Sequence, residues 1–450
     1  MGSFNLDVLT RRSTPLEITE GVFVFSSLKQ NKADSDLSAD TDFIIPTIAG
    51  SGLGVVIHDY SFLSEVIRTF GLFRLSNITQ LEYLEDPDEP PLWMESDIRF
   101  HHTRFLHSLN VWAIALAISE VNKSWFDERP GFREALQVAA LTHDVLTPAG
   151  GDTTKAIDPV AFDEDLEYNN AITDKRRQFL AHHGVDPDLC IKTVLGKGVL
   201  GTILDIADKL AYTGHDTNYF GNKPILGHWP VANRGAIEKE LRKTRGKACT
   251  IWQSVRIHND VVWNEDTNGL TNFLVLRGMM FRHLYTNPKA RYKEALIMYS
   301  VLSFLYETRK LTRPQLLDMN DNDLQAFVNQ QFNWGYGSLS PSQQGFIPTY
   351  KRFRSWDEAC EFERKLLREG HLFVRAENLI KIYKPGHHLK VRFDGQIDSL
   401  LILFPKQAAE AQKAGEVIDP IRVSYLIGNE PSLGSMTDAF RTWRTGQLHR

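Results

Sequence analysis

Apolar residues recur at helical spacing through most of the chain. "SFLSEVIRTFGLFRLSNITQLEYL", "FLHSLNVWAIALAISEVNKSW", "FREALQVAALTHD", "GTILDIADKLAYTG", "NFLVLRGMMFRHLY" and "RYKEALIMYSVLSFLYET" each repeat hydrophobic positions every three or four residues, which predicts amphipathic or fully buried helices. Several are apolar around most of their circumference, the pattern of helices inside a multi-helix body. These segments span residues 46–330 and predict an all-α core there. Before them, residues 1–45 mix a β-like run, "GVFVFSS", with the polar tract "KQNKADSDLSADTD", and read as an N-terminal arm and loop. After residue 331 the period changes. "HLFVRAE", "LIKIYKP", "HLKVRFDG" and "SLLILFPK" predict short strands, and "WDEACEFERKLLREG" and "PKQAAEAQKAG" predict helices, so residues 331–450 form a small α+β region on a mainly α protein. No internal repeat or long low-complexity segment interrupts this division.

Composition narrows the function classes. The 450 residues are 42% hydrophobic and 24% charged, ordinary for a globular chain with room for a sizeable core. A net charge of -5 carries no polyelectrolyte signature, so neither nucleic acid nor a membrane surface is indicated as a partner. The three cysteines, Cys190, Cys249 and Cys360, are far apart and show no CxxC spacing, which argues against a disulfide framework and a thiolate zinc site. No apolar run reaches the length of a membrane span, "MGSFNLDVLTRRST" lacks the apolar centre of a signal peptide, and Leu6 stands where a myristoylation signal requires serine or threonine. The expectation is a cytoplasmic protein.

The chemistry concentrates at helix ends. His143 and Asp144 close one apolar helix, His107 lies in "RFLHSLNVW" of another, and Asp208 sits in "LDIADKLAY" of a third. Carboxylates buried among leucines cost several kcal/mol apiece unless strongly paired, and a divalent metal would satisfy all four groups together. Two imidazoles with two carboxylates suit Mn, Fe, Co, Ni or Zn better than calcium, and leave coordination positions for water or a phosphate oxygen. Arg104 lies three residues before His107 on the same helical face, Lys209 follows Asp208, and Tyr212 is one turn beyond. Cations beside a metal make sense if the ligand is polyanionic. Arg277, Phe281 and Tyr285 recur every four residues, a face that presents a cation and a phenol together.

The ordered set His107, His143, Asp144 and Asp208 resembles that of the HD-domain metal-dependent phosphohydrolases. More narrowly, residues 46–330 resemble the deoxynucleoside triphosphate triphosphohydrolases, among them the bacterial dGTP enzymes and the animal enzyme with a sterile-alpha-motif and an HD domain. "FRLSNITQLEYL" is similar to the family helix ending in Gln-Leu, "RFLHSL" to its Arg-Phe-x-His-Ser element, "ADKLAYTGHD" to its Asp-Lys-x-x-Tyr-x-x-x-Asp element, and "LRGMMFRHLYTNPKAR" to a helix with Arg and, eight residues on, Tyr. The resemblance implies that His107, His143, Asp144 and Asp208 hold one divalent transition metal, with Mg a further candidate on the nucleotide phosphates. It implies that Arg104, Lys209 and Arg277 contact phosphate, that Gln80, Tyr212 and Asp216 reach sugar or phosphate, and that Tyr285 shapes a nucleoside pocket. The implied reaction cleaves a dNTP to deoxynucleoside and triphosphate, and the implied assembly is a homo-oligomer.

One segment departs from the family. Where its members carry further histidines after the HD pair, this chain reads "HDVLTPAGGDTTKAIDPVAFDEDLEYNNAI". Thr147 and Asp152 stand at those histidine places, and Glu167 at that of a family glutamate. Asp152 and Glu167 are the expected catalytic replacements, with Asp163, Glu164, Asp165 and Lys155 as further proton-transfer candidates. Gly150 and Gly151 beside Asp152 suggest a close backbone approach. Two other readings remain. A nucleotide-binding sensor would keep the fold without turnover, and an HD-fold diiron oxygenase would need more ligands, from His182, His183 or the acidic loop. His182 and His183 read better as residues of a helix C-terminus, and His101 and His102 as a loop pair.

Overall fold

The computed structural model describes residues 18–20, 43–46, 53–57, 60–80, 103–221, 251–286, 298–332, 346–380, 389–417, 419–428 and 436–447. "GVFVFSS", the polar tract after it, His101, His102, Cys249 and most of "LIKIYKP" lie outside the described residues.

The described chain is mainly α. Its helices begin with α1 (Tyr60–Phe70), α2 (Arg104–Val121), α3 (Lys123–Asp127), α4 (Phe132–Thr142), α5 (Gly151–Lys155), α6 (Glu164–Ala171), α7 (Asp174–His182), α8 (Pro187–Val194) and α9 (Gly198–Gly221). The central one is α2, which packs against α4 and α9 and is buried without a break from His107 to Ser119. Thr103 caps its first turn, the hydroxyl accepting from the Leu106 amide at 3.3 Å, and no glycine or proline interrupts it. At its other end Asn122 donates to the carbonyls of Ile118 (2.9 Å) and Val255 (3.0 Å) and accepts from the Ile257 amide (2.9 Å). That one side chain ends the helix and fastens a hairpin to it. Leu109, Trp112, Leu136, Leu141, Leu204 and Leu274 belong to the main core, while a second core gathers Leu302, Phe304, Leu324, Phe332, Phe373 and Phe440.

Three expectations are corrected. The run from "SFLSEVIRTF" into "GLFRLSN" is two elements, because Gly71 takes a left-handed conformation (φ 70°) and the chain restarts as a 3-10 helix, Leu72–Asn77. Residues 46–330 are not all helical. Strand β3 (Leu53–Ile57) lies there and pairs antiparallel with β1 (Ile18–Glu20) and β2 (Phe43–Pro46) of the N-terminal arm, and β4 (Val255–His258) and β5 (Val261–Asn264) make a hairpin whose two-residue turn, Asn259-Asp260, has positive φ at both positions. In the C-terminal region β6 (Phe346–Arg352), β7 (Val374–Asn378), β8 (Lys390–Phe393), β9 (Gln396–Ser399) and β10 (Ile421–Gly428) accompany helices at Trp356–Arg368 and Pro405–Ala414. "SLLILFPK" is not a strand: β9 stops at Ser399, and Leu400–Leu403 coils so that the Phe404 amide reaches the Leu400 carbonyl at 2.8 Å. Only Leu400 of that run is buried, with Leu401 and Ile402 outward, so the four apolar residues are one turn with one core contact.

The C-terminal region interlocks with the middle of the chain. β8 pairs with β5 in parallel through Asn264 and Val391, giving a four-stranded sheet in the order β4-β5-β8-β9. The Pro405–Ala414 helix packs on the Thr267–Met280 helix, where Gly278 stands so near Gly415 that an added Cβ would lie 2.7 Å from its amide nitrogen. In the other C-terminal sheet β10 lies between β6 and β7.

Candidate metal centre

Helix geometry brings the four expected ligands together from three elements. Arg104 and His107 share the first-turn face of α2, His143 and Asp144 directly follow α4, and Asp208 projects from α9. His107 Nε2 lies 3.0 Å from Asp208 Oδ1 and 3.7 Å from Asp144 Oδ2. His143 Nε2 lies 3.5 Å from Asp144 Oδ1 and 3.9 Å from Asp208 Oδ1, and the imidazole rings meet edge to face with centroids 5.4 Å apart. Ligand atoms of His107, His143 and Asp144 all lie within 4.8 Å of one another, and among the described residues this is the one such group of three or more histidines, cysteines or acids.

The donor set fits a divalent cation. His143 Nδ1 sits 2.9 Å from the Ala140 carbonyl, which fixes the proton there and leaves Nε2 as a lone-pair donor. That Nε2 is buried without a hydrogen-bond partner, as is His107 Nδ1. A buried nitrogen facing two carboxylates across 3.5 and 3.9 Å is costly unless something polar stands between them. The electrostatics agree. Burial would raise the Asp144 carboxyl, but His143, Arg104 and His107 outweigh it and hold the group well below the usual carboxylate range. Asp208 is lowered in the same way: burial opposes, and the hydrogen bond and charge of His107 prevail. Burial would lower His143, yet the charges of Asp144 and Asp208 raise it. The pocket therefore keeps two ionised carboxylates and attracts positive charge.

From Asp144 a chain of contacts leads outward along the departing loop. Arg104 Nη1 meets Asp144 Oδ2 at 3.3 Å and its Nη2 meets Asp152 Oδ1 at 3.0 Å. Lys155 reaches Asp152 at 3.6 Å and Glu164 at 2.6 Å, and the Thr147 hydroxyl donates to the other Glu164 oxygen at 2.7 Å. Gly150 and Gly151 both have positive φ (75° and 44°), and a Cβ on Gly150 would strike Thr154 at 2.8 Å, so the sharp entry into α5 needs glycine.

This loop is held from outside by residues that no sequence signal singled out. Arg74 donates to the carbonyls of Val145 (3.1 Å), Thr147 (2.7 Å) and Met319 (3.0 Å). Asp321 accepts from the Thr79 amide at 2.7 Å and the Gly150 amide at 2.8 Å, joining the segment that carries Gln80 to the loop that carries Asp152. Asp321→Ala should strand both amides and lower stability by about 1–3 kcal/mol per amide. Chemical denaturation checks this, and loss of less than about 1 kcal/mol in total would show that the clamp is not structural.

Four of the residues expected to bind substrate meet in two pairs. Arg277 Nε donates to the Tyr212 hydroxyl, Tyr285 donates to Asp216 Oδ2, and the Arg277 guanidinium lies over Phe281 at 4.9 Å. Burial pushes the Tyr212 phenol up to about 12, so it remains protonated. Gln80 is buried with its Oε1 lacking a hydrogen-bond partner.

Two expected residues sit elsewhere. The Lys209 ammonium is taken by Asp205 one turn earlier, since a residue next to Asp208 points about 100° around the helix. Glu167 pairs with Arg313 (3.1 Å) and Asn170 (2.6 Å) and makes no hydrogen bond or ion pair with the ligand cluster, because α6 directs Glu164 rather than Glu167 to the loop. His183 pairs with Glu65 at 3.0 Å and packs on Phe62 and Phe179, and its neighbour His182 ends α7.

In the multi-helix core, His, His-Asp and Asp converge from α2, the end of α4 and α9. Residues 104–213 match the family model described as HD domain, a span that begins at Arg104 and ends one residue past Tyr212. A phosphohydrolase from Bacteroides thetaiotaomicron has a similar solved structure, at 13% identity and a TM-score of 0.57, covering 84% of this chain and 98% of that one. A hypothetical protein from Aquifex aeolicus is similar at 16% identity and a TM-score of 0.55, covering 86% and 96%. No curated protein matches the chain in sequence. No helix among the described residues is long and apolar enough to cross a membrane.

Proposed function

We propose that the protein is a metal-dependent phosphohydrolase acting on nucleotides, and that its substrate is a dNTP cleaved to deoxynucleoside and triphosphate. The observation that carries this reading is the pairing of a two-histidine, two-aspartate cluster, in which His107, His143 and Asp144 are buried, with a buried guanidinium, Arg104, in direct contact with Asp144. His107, His143, Asp144 and Asp208 would hold the ion. A bound divalent ion would supply an acidified water and a Lewis-acid contact to a phosphate oxygen.

The remaining work falls to the chain. Arg104, kept protonated because Asp152 and Asp144 outweigh its burial, presents a planar donor to a phosphate beside the cluster. Arg277 is a second buried cation on the neighbouring wall, and both would position and neutralise a polyphosphate. The Tyr285–Asp216 pair and Gln80 offer a hydroxyl, a carboxylate and an amide, the donor and acceptor types that recognise a sugar. Lys209 would have to leave Asp205 to join them. The phosphohydrolase among the similar structures adds support from fold alone.

The test is product analysis by mass on purified protein with Mn or Co, offered the four dNTPs, the NTPs and the monophosphates. Nucleoside plus intact triphosphate is the expected release. Orthophosphate instead would overturn the triphosphate reading, and no release from any of them would overturn the phosphohydrolase reading.

A further inference from the structure

The proton needed by the leaving oxygen in such a hydrolysis has no histidine to come from in this loop, and the acids near it are not equivalent. Asp152 is the obvious substitute by position. Its side chain is 43% exposed, and Arg104 and Lys155 both lie against it. Burial would raise its carboxyl, but those two cations prevail and lower it, so it stays ionised at neutral pH and has no proton to give. Glu167 is turned to Arg313. Asp163 caps α6, its Oδ1 accepting from the Leu166 amide at 3.1 Å.

Glu164 differs from all three. Its side chain is only 14% exposed, and it lies two contacts beyond Asp152 along the Arg104–Asp152–Lys155–Glu164 chain, where it returns to the loop through Thr147. One oxygen faces Lys155 and the other Thr147, the residue three places after the ligand Asp144. From these contacts we propose that Glu164 is the proton donor to the leaving oxygen, with Lys155 and Thr147 orienting its two oxygens; this rests on the phosphohydrolase reading above. In the step, the water oxygen–phosphorus bond forms and the phosphorus–leaving oxygen bond breaks. The leaving oxygen keeps the bonding pair and takes the Glu164 carboxyl proton. The attacking water gives up its own proton to solvent, and Glu164 is reprotonated from solvent before the next turnover.

The charges around Glu164 set when it holds that proton. Burial raises its carboxyl first and Asp144 adds to this, while Lys155 and Arg104 oppose, leaving the group at about 7. Arg74 and His143 also face it electrostatically from the 3-10 helix and the end of α4. A polyanionic substrate on Arg104 would offset a cation and favour the acid form, whereas a dication in the cluster would favour the carboxylate. The donor form is lost as pH rises through that value, so turnover limited by this step should fall on the alkaline side.

Leaving-group dependence separates a proton donor from a structural glutamate. The wild type and Glu164→Gln are compared with Mn on a dNTP, whose nucleoside oxygen leaves only with a proton, and on the p-nitrophenyl ester of thymidine 5′-monophosphate, whose phenolate leaves without one. Glu164→Gln should lose about a hundredfold or more in kcat on the dNTP and stay within about threefold on the p-nitrophenyl ester. KM should hold, the alkaline fall in kcat should disappear, and Glu164→Asp should recover part of the loss. Carbon-13 NMR of glutamate-labelled protein should show a carboxyl titrating near neutrality that is missing from Glu164→Gln. Equal slowing on both esters, or a Glu164 that titrates in the ordinary carboxylate range, overturns the assignment while leaving the hydrolase reading in place. A wild type that cleaves neither compound removes that reading and the assignment with it.

Discussion

Asp208→Ala is expected to reduce bound divalent metal to a small fraction of the wild-type content and to lower kcat/KM by at least ~10³-fold, which is about 4 kcal/mol of lost transition-state stabilisation. Asp208 is the one ligand candidate supplied by α9, and its Oδ1 faces both imidazoles, at 3.0 Å from His107 and 3.9 Å from His143. Removing it takes away a negative charge that the two histidines share, and with it an oxygen donor. The fold should survive. The Asp208 side chain is 34% exposed, unlike Asp144 at 5%, so alanine there opens no sealed cavity. Metal content by mass spectrometry, hydrolysis and a melting curve on the same sample decide the matter. Unchanged metal content with the fold intact would remove Asp208 from the ligand set, and wild-type turnover would remove the metal assignment itself.

The candidate ligand set was legible because each member sits at the end or on the face of a strongly periodic helix, where a charged residue stands out against its apolar neighbours. Arg277, Phe281 and Tyr285 were legible for the same reason, and they meet Tyr212 and Asp216 in the structure. Lys209 was not, because adjacency in sequence is not adjacency on a helix, and Asp205 lies at the favourable i−4 position. Glu164 and Glu167 are three apart on α6, and nothing local tells which of them faces the loop; that depends on where Arg313, 146 residues beyond Glu167, comes to rest. Arg74 and Asp321 were illegible for a related reason, since each acts on backbone groups, which carry no sequence signature. The hairpin at Val255–Asn264 did carry one: "VRIHNDVVW" alternates around an Asn-Asp pair, a two-residue turn signal overshadowed by the long helical patterns on either side.

Arg422→Met should destabilise the protein by about 3–5 kcal/mol, because it leaves a buried carboxylate without its guanidinium partner. Arg422 is fully buried on the central strand β10, directly opposite Glu377 of β7, with Nε 2.9 Å from Glu377 Oε2. Its Nη1 donates at 2.8 Å to the carbonyl of Thr286, the residue after Tyr285. The C-terminal sheet thus holds the end of the segment that places Tyr285 on Asp216, so under the proposed nucleotide reading this arginine should affect binding as well as stability. The two effects separate in a double variant. Arg422→Met with Glu377→Leu removes both charges and should recover most of the lost stability, since a buried pair replaced by apolar groups of similar volume is often neutral. It restores no donor to Thr286, so KM for a nucleoside substrate should stay raised in the double variant as in the single one. Urea unfolding with KM measured on both proteins tests this. If KM returns to the wild-type value together with stability, the C-terminal region supports the fold but has no hold on the nucleoside pocket.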